Sequence, residues 1–412
     1  MSNMVSFKTH ITEAKEGKNV HLEHLEDQVL NRGAAGVQEA LNFLHSLKEM
    51  LSGHVEKPIN ITTKWDGAPA VFCGINPDNG KFFVGTKGVF NKEAKLNYTE
   101  KDIDANHPSE GLNAKLKTCL FYLSKLGITG ILQGELMFTK GDVVTKTIEG
   151  QKYITFTPNT ITYAIPLSQT QLVERIHKAQ LGIVFHTSYH GSSMSNLKAN
   201  YTVDIGRLKH TKDVWFRDAS LVDQSGTVSF TVEESQHLLG VLEKAAGFFH
   251  NINNKILNQI ALNATFREPI KIFNNSKVRE GEAITNTTEH TNELIRWLDK
   301  KMTKDIGDAK QPETKRKRTQ EKTEVLGFLR SHSADLRDIF NLQNQLVYAK
   351  MIVVNKLQTV QGTHKFYKTA DGYAVAGDEG FVAVDHIGNA VKLVDRLSFS
   401  HQNFTATKNW TK

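Results

Sequence analysis

The chain has 412 residues, 39% hydrophobic and 23% charged, a globular composition too long for one ordinary core, so two or three domains are expected. Its net charge of +7 and pI near 9.1 favour a polyanionic partner. With only Cys73 and Cys119, no signal-peptide pattern and no run of about eighteen apolar residues, a disulfide framework, a zinc ribbon and a membrane span are excluded; a soluble cytoplasmic protein is expected.

The polar start carries His21, His24, Glu26 and Asp27, which are either metal ligands or the salt-bridged start of a helix. Val37, Leu41, Leu44, Leu47 and Leu51 recur at helical spacing and predict a helix over 33–51, a brace for the sheet that follows. Strands are predicted over 59–64, 70–75 and 81–85, the last after an Asn76-Pro77-Asp78-Asn79-Gly80 turn, which is antiparallel hairpin grammar. A helix over 112–126, closed by Gly127, precedes a strand over 130–138. Strands over 152–156, 160–165 and 182–187, with a helix between the last two, complete an α+β first half on a mostly antiparallel sheet.

At Thr231 the pattern changes. Thr231 and Glu234 form a capping box ahead of one long amphipathic run to about residue 262. A second helix follows Asn286 and buries Leu294, Leu298 and Met302, and a third helical region spans 324–357. Between them lies a polar stretch over 300–322, with Lys315, Arg316, Lys317 and Arg318, that is either a solvated linker or a phosphate-contacting loop. Strands return over 365–368, 373–376, 380–385 and 390–393 and are expected to rejoin the first sheet. The expected organisation is a sheet-bearing core over 1–230 and 358–412, with a helical domain over 231–357 inserted into it.

Lys64 lies between a β-prone run and the turn made by Gly67 and Pro69. A lysine held in a walled site can lose its proton and act as a nucleophile; at an ordinary strand end it is only a solvated charge. Nucleotidyl transfer to an amine also needs cations for phosphate oxygens, carboxylates for a divalent metal and an apolar slot for the base. Asp66 follows Lys64 on the turn, Lys87 follows a strand, Glu135 stands within an apolar strand, and Glu379 and Lys392 border alternating strands. Glu135 is open to a second reading as a buried, paired glutamate, and Tyr163 either stacks on a purine or packs in the core.

In that order these pieces resemble the motifs of the covalent nucleotidyltransferase superfamily of ATP-dependent DNA ligases, RNA ligases and capping guanylyltransferases. Lys64-Trp65-Asp66-Gly67 is similar to motif I, Thr86-Lys87-Gly88 to motif Ia, Gly134-Glu135-Leu136 to motif III, and Tyr163 to the motif IIIa aromatic; Glu379-Gly380-Phe381-Val382 is similar to motif IV, and Lys392 to the start of motif V. The resemblance covers 59–191 and 365–396 and, with the opening His-Leu-Glu-His, looks closest to ligase-like proteins of bacteriophages, for which the compartment would be the host cytoplasm. It implies an adenylation domain built on antiparallel sheets, and an ATP-dependent polynucleotide ligase that forms a lysyl-AMP on Lys64, adenylylates a 5′-phosphate and joins it to a 3′-hydroxyl of DNA, RNA or a hybrid.

By the same resemblance Lys64, Asp66 and Lys392 are catalytic, and Thr62, Thr63, Lys87, Glu135, Tyr163 and Arg396 meet the nucleotide. Glu379 and Glu135 hold Mg2+, with Mn2+ an alternative, and Lys392 lowers the pKa of Lys64. Val394 replaces the second motif V lysine, hence the choice of Arg396. Too few residues follow Arg396 for an OB-fold, so the inserted helices are expected to clamp nucleic acid through Lys315, Arg316, Lys317 and Arg318. The expected partners are nucleic-acid ends, with no membrane and a monomeric chain. Two alternatives stand beside this reading: a non-catalytic nucleic-acid-binding accessory protein with a ligase-like fold, and a nucleotidyltransferase that modifies RNA ends without sealing.

Overall fold

The structure is a computed structural model that describes residues 22–53, 59–221, 229–359, 364–369, 372–385 and 390–399; His21 lies outside them. The fold is mixed α+β with largely antiparallel sheets. In its first half the elements are α1 (Gln28–Leu51), β1 (Asn60–Lys64), β2 (Ala70–Ile75), β3 (Phe82–Gly85), α2 (Glu100–Asn106), α3 (Glu110–Leu123), β4 (Ile131–Thr139), β5 (Val144–Ile148), β6 (Gln151–Phe156), β7 (Ile161–Pro166), α4 (Thr170–Lys178), β8 (Leu181–His190), β9 (Lys198–Asn200) and β10 (Val214–Asp218). The second half has α5 (Val232–Asn251), α6 (Asn254–Leu262), α7 (Ala264–Glu280), α8 (Thr287–Gly307), α9 (Pro312–Ser331), α10 (Ser333–Gln358), β11 (His364–Thr369), β12 (Gly372–Val375), β13 (Gly380–Val384) and β14 (Ala390–Val394).

Several of these boundaries correct the sequence expectations. Gly33, the expected start of the first helix, is instead an internal kink at φ +61, and a helical turn precedes it. The single run expected over 231–262 breaks at Ile252, because the Asn253 side chain accepts the Lys255 backbone N–H at 3.0 Å and caps a new helix. The polar stretch over 300–322 is no loop: α8 continues to Gly307, and Pro312 sits in the first turn of α9, where its missing N–H costs nothing.

The returning strands do not rejoin one sheet. β13 and β14 pair with β1 in a three-stranded sheet ordered β1-β13-β14, whereas β11 and β12 extend another, ordered β12-β11-β7-β6-β5. The remaining sheet runs β10-β8-β4-β2-β3, with β9 added to β8 and β10 parallel to β8. One face of this sheet, carrying Val71, Leu136 and Ile183, packs on Leu116 and Leu123 of α3. Phe138, Phe156, Tyr163 and Trp215 join a separate core shared with the five-stranded sheet.

The helical segment is not a separate body. Leu44 of α1, Leu242 of α5, and Leu346 and Val353 of α10 share one core with Phe381, Ala383 and Leu393 of the three-stranded sheet. Each of these is a large or branched apolar side chain at 0–1% exposure, apart from the small Ala383, so insertion and sheet are stabilised together rather than across a wet interface. Among the described residues no helix is long and apolar enough to cross a membrane.

Candidate active site

Strand register brings the distant motifs onto one surface. Thr62 lies opposite Val382, which lies opposite Lys392, and Lys64 lies opposite Gly380. Side chains two apart on a strand, and directly across from one another, share a face. Thr62, Lys64 and Lys392 therefore project from one side of the sheet, while Phe381, Ala383, Val391 and Leu393 project from the other into the helical core.

Beyond Lys64 the chain folds back onto β4. Ala68 N donates to Leu136 O and Leu136 N to Pro69 O, each at 3.1 Å, which lays the turn beside Glu135. Gly67 is required there: a Cβ on it would come within 2.4 Å of the Glu135 Cβ. Lys64 Nζ forms an ion pair with Glu379 Oε1, and the other Glu379 oxygen is buried without a hydrogen-bond partner. Glu135 is met by His186, whose Nε2 lies 3.5 Å from Oε1 and whose Nδ1 is 2.8 Å from Thr187 Oγ1.

The electrostatics reverse one expectation. Burial pulls the Lys64 ammonium toward its neutral form, but Glu379, Glu135 and Asp66 together outweigh it and hold Lys64 above its ordinary 10.5. Lys392 is the depressed one, by burial first and then by Lys64. Burial also raises the Glu379 carboxyl in spite of Lys64. The nearest charge to Lys64 is a carboxylate, so the side chain rests as an ammonium, and Lys392 does not pre-deprotonate it.

Three further expectations change. Asp66 is a bracket: its carboxylate accepts Asn159 Nδ2 at 2.7 Å, Thr160 N at 2.8 Å, Thr160 Oγ1 at 2.6 Å and Ile161 N at 2.9 Å. With four donors on a buried carboxylate, it positions the Lys64 turn against the loop before β7 and does not meet substrate. Tyr163 is 1% exposed, stacked on Trp65 at 5.0 Å and Phe156 at 5.6 Å, with its hydroxyl accepting the Asp66 N–H at 2.7 Å. No ring face remains for a purine. Arg396 does not face a nucleotide either: its guanidinium donates to Asp27 Oδ1 at 2.9 Å and to Asn275.

The opening acidic cluster resolves as ion pairs. Glu26 accepts Lys350 Nζ at 2.9 Å on both oxygens, and Asp27 takes Arg396. Among the described residues no three histidine, cysteine or carboxylate groups are placed to hold a metal. His24 instead forms a β-bridge with Lys392, and the Lys392 N–H donates to Glu23 O at 3.4 Å. Burial, opposed by Glu26 and aided by Arg396, Lys350 and Lys392, lowers the His24 imidazole to about 3, so it is neutral, and its buried Nδ1 has no partner.

Of the other expected residues, Thr62 shares the Lys64 face and donates from Oγ1 to Val382 O at 3.4 Å, whereas Thr63 serves the backbone by donating to Ala219 O at 2.7 Å. Lys87 is exposed on the turn after β3, two strands from Glu135. Lys315, Arg316, Lys317 and Arg318 are exposed on α9; Arg316 pairs with Glu313 at 2.9 Å, Lys317 lies 3.9 Å from the same carboxylate, and Arg318 donates to Asp305 O. His186 and Lys365 carry no signal in the sequence that marks them for this site. Lys365, paired with Asp378 and 6.0 Å from the Trp65 ring, was legible only as a strand residue.

The described carboxylates suit a hard cation of the Mg2+ kind, which is held by one or two carboxylates and completed by water and phosphate oxygens. The unpartnered Glu379 oxygen fits that role. Neither the curated proteins nor the solved structures contain a match to this chain. Residues 19–408 match the model of a family of unknown function (DUF6267), and with nearly the whole length matched the chain belongs to that family.

Proposed function

We propose that the chain is an ATP-dependent polynucleotide ligase working through a lysyl-AMP on Lys64. The observation that carries this reading is the convergence of Lys64 (β1), Glu135 (β4), Glu379 (before β13) and Lys392 (β14) from two sheets into one interacting cluster. Convergence of widely separated residues of complementary charge, one of them with an unsatisfied buried oxygen, is a common mark of a functional centre.

In the proposed reaction the Lys64 amine attacks the α-phosphorus of ATP; a P–N bond forms, the α–β P–O bond breaks, pyrophosphate leaves and the amine proton passes to solvent. A divalent cation held by Glu379 and Glu135 would neutralise triphosphate charge. Before attack Lys64 has to part from Glu379 and give its ammonium proton to solvent, since the ion pair favours the ammonium. Lys392, two residues along the sheet face, neutralises the developing phosphate charge. A 5′-phosphate oxygen then attacks the same phosphorus and breaks the P–N bond, and a 3′-hydroxyl displaces AMP.

Incubation with ATP and Mg2+ is expected to give a protein one adenylyl group heavier, acid-labile as a phosphoramidate, with the adduct mapped to the Lys64 peptide. An adduct elsewhere, or none with either Mg2+ or Mn2+, rules the reading out. Sealing assays on matched nicks in DNA, RNA and hybrids then distinguish ligation from end modification alone.

The basic first turns of α9 are proposed to hold the nucleic-acid backbone. Replacing Lys315, Arg316, Lys317 and Arg318 by Gln is expected to weaken binding and lower the slope of log K against log salt by up to roughly three, while Lys64 adenylylation is retained. The Arg316 pairing with Glu313 keeps the change below four full phosphate contacts. Filter binding across a salt series measures both quantities, and an unchanged slope rejects this role.

A further inference from the structure

A cavity of about 280 Å³ opens on the far side of Trp65, at the outer edge of β10, near the lower end of the ~300–1,000 Å³ usual for small-molecule sites. None of Lys64, Glu135, Glu379 or Lys392 lines it. Its walls include two indoles, Trp65 and Trp215, and two guanidiniums, Arg175 and Arg217, with Asp218 at the rim. Each indole is backed by a core ring, Trp65 by Tyr163 at 5.0 Å and Trp215 by Phe138 at 5.9 Å. That backing makes both rigid.

The arginines are what the fold leaves unexplained. Arg217 lies over the Trp65 ring at 5.4 Å, and among the described residues neither its guanidinium nor that of Arg175 has a hydrogen-bond or ion-pair partner. Burial pulls the Arg217 pKa down, with Asp218 only partly opposing. Neither arginine has a buried nitrogen without a partner, so both guanidiniums reach solvent at the cavity, where a phosphate can take the place of water with charge-assisted, bidentate hydrogen bonds. With one carboxylate against two guanidiniums the lining carries a net single positive charge, suited to one phosphate group.

We propose that this cavity is a second binding site for a nucleoside phosphate, its base against Trp215 and its phosphate held by Arg175 and Arg217, the latter braced on the Trp65 ring. Flat aromatic walls take any base, Arg forks suit phosphate oxygens, and Asp218 can accept from an exocyclic amino or a ribose hydroxyl. The ligand is either a free mononucleotide or one nucleotide of a strand. Because Trp65 follows Lys64 directly, occupancy would steady the turn that carries the amine, but the site itself stands whether or not Lys64 is adenylylated.

The test uses the full-length Lys64→Ala protein, which cannot form the adduct. It is titrated with AMP, a short 5′-phosphorylated oligonucleotide, adenosine and inorganic phosphate while tryptophan fluorescence is followed; two of the four tryptophans line the cavity. AMP, the oligonucleotide or both should quench at lower concentration than phosphate or adenosine, and which of them does so identifies the source. Arg175→Ala and Arg217→Ala should each weaken that binding by about tenfold or more, with Arg217→Lys intermediate. Arg175 is exposed on α4, so its removal leaves folding intact and guards against a mere packing effect at Arg217. Affinities within twofold of the parent in both alanine variants, or phosphate binding as tightly as AMP, overturn the proposal.

Discussion

Lys64→Arg protein is expected to acquire no adenylyl group, a loss on the order of 10⁴-fold or more in the rate of adduct formation. The substitution is a sharp one because the guanidinium keeps the charge that Glu379 and Glu135 stabilise, so the fold and the ion pair survive. What it removes is the capacity to become neutral, since a guanidinium stays protonated at any accessible pH. Glu379→Gln acts on a different part of the same centre. It removes the carboxylate whose unpartnered buried oxygen is proposed to meet a cation, and a loss of about 10²–10³-fold is expected, with a higher Mg2+ requirement. Mass spectrometry after timed incubation with ATP measures both. Labelling of Lys64→Arg at the parental rate would show that the nucleophile lies elsewhere.

The second large effect is structural. Lys350 of α10 is 0% exposed and pairs with Glu26 at 2.9 Å on both carboxylate oxygens, while Gln343 Nε2 donates to Glu26 O at 3.1 Å. Lys350→Met leaves a buried carboxylate without its cation, and a loss of about 3–5 kcal/mol is expected in urea unfolding. The double variant Glu26→Leu/Lys350→Met should recover most of it, because replacing both partners removes the desolvation cost as well as the attraction. A double variant as unstable as the single one would mean that the charges are needed for more than pairing.

The pH dependence of that pair has a defined sign. Burial alone raises the Glu26 carboxyl, but the Lys350 charge and hydrogen bonds, with His24, outweigh it, so the folded pKa lies below 4.5. A depressed carboxyl contributes stability that is full above the unfolded pKa and fades as pH falls through the folded one. Asp27 works the other way, since burial raises its carboxyl against Arg396. The acid limb attributable to Glu26 is therefore the difference between the parent and the Glu26→Leu/Lys350→Met variant below pH 4.5, where the parent should lose stability faster.

Locally determined features were legible in the chain itself. The capping box at Thr231 and Glu234 starts α5 as written, and the alternation around Phe381 and Leu393 produces paired strands. The turn at Asn76 to Gly80 joins β2 to β3. These depend on side chains reaching a few residues along the backbone, so a short window holds all the information. The break at Asn253 was missed because apolar spacing continues across it while one side-chain cap ends the helix. Tyr163 and Asp66 were misplaced for a different reason: an aromatic ring or a carboxylate suits substrate and core equally, and only the neighbours Trp65, Phe156 and Thr160 decide between them.

Sequence alone determined which residue types stand in which order around Lys64, because their chemistry is a property of each residue. Only the tertiary structure decided which of them meet. The register of β1 on β13 and of β13 on β14 places Lys64 and Lys392 on one face and aims Glu379 at the amine, and a slip of one residue would turn every one of those side chains into the helical core. Register depends on burial of Phe381 and Leu393 in a core shared with α10 and with the far more distant α1 and α5, so no local reading reaches it. The charge state of Lys64 follows from that same placement, since the nearest charge proved to be a carboxylate and not a second lysine.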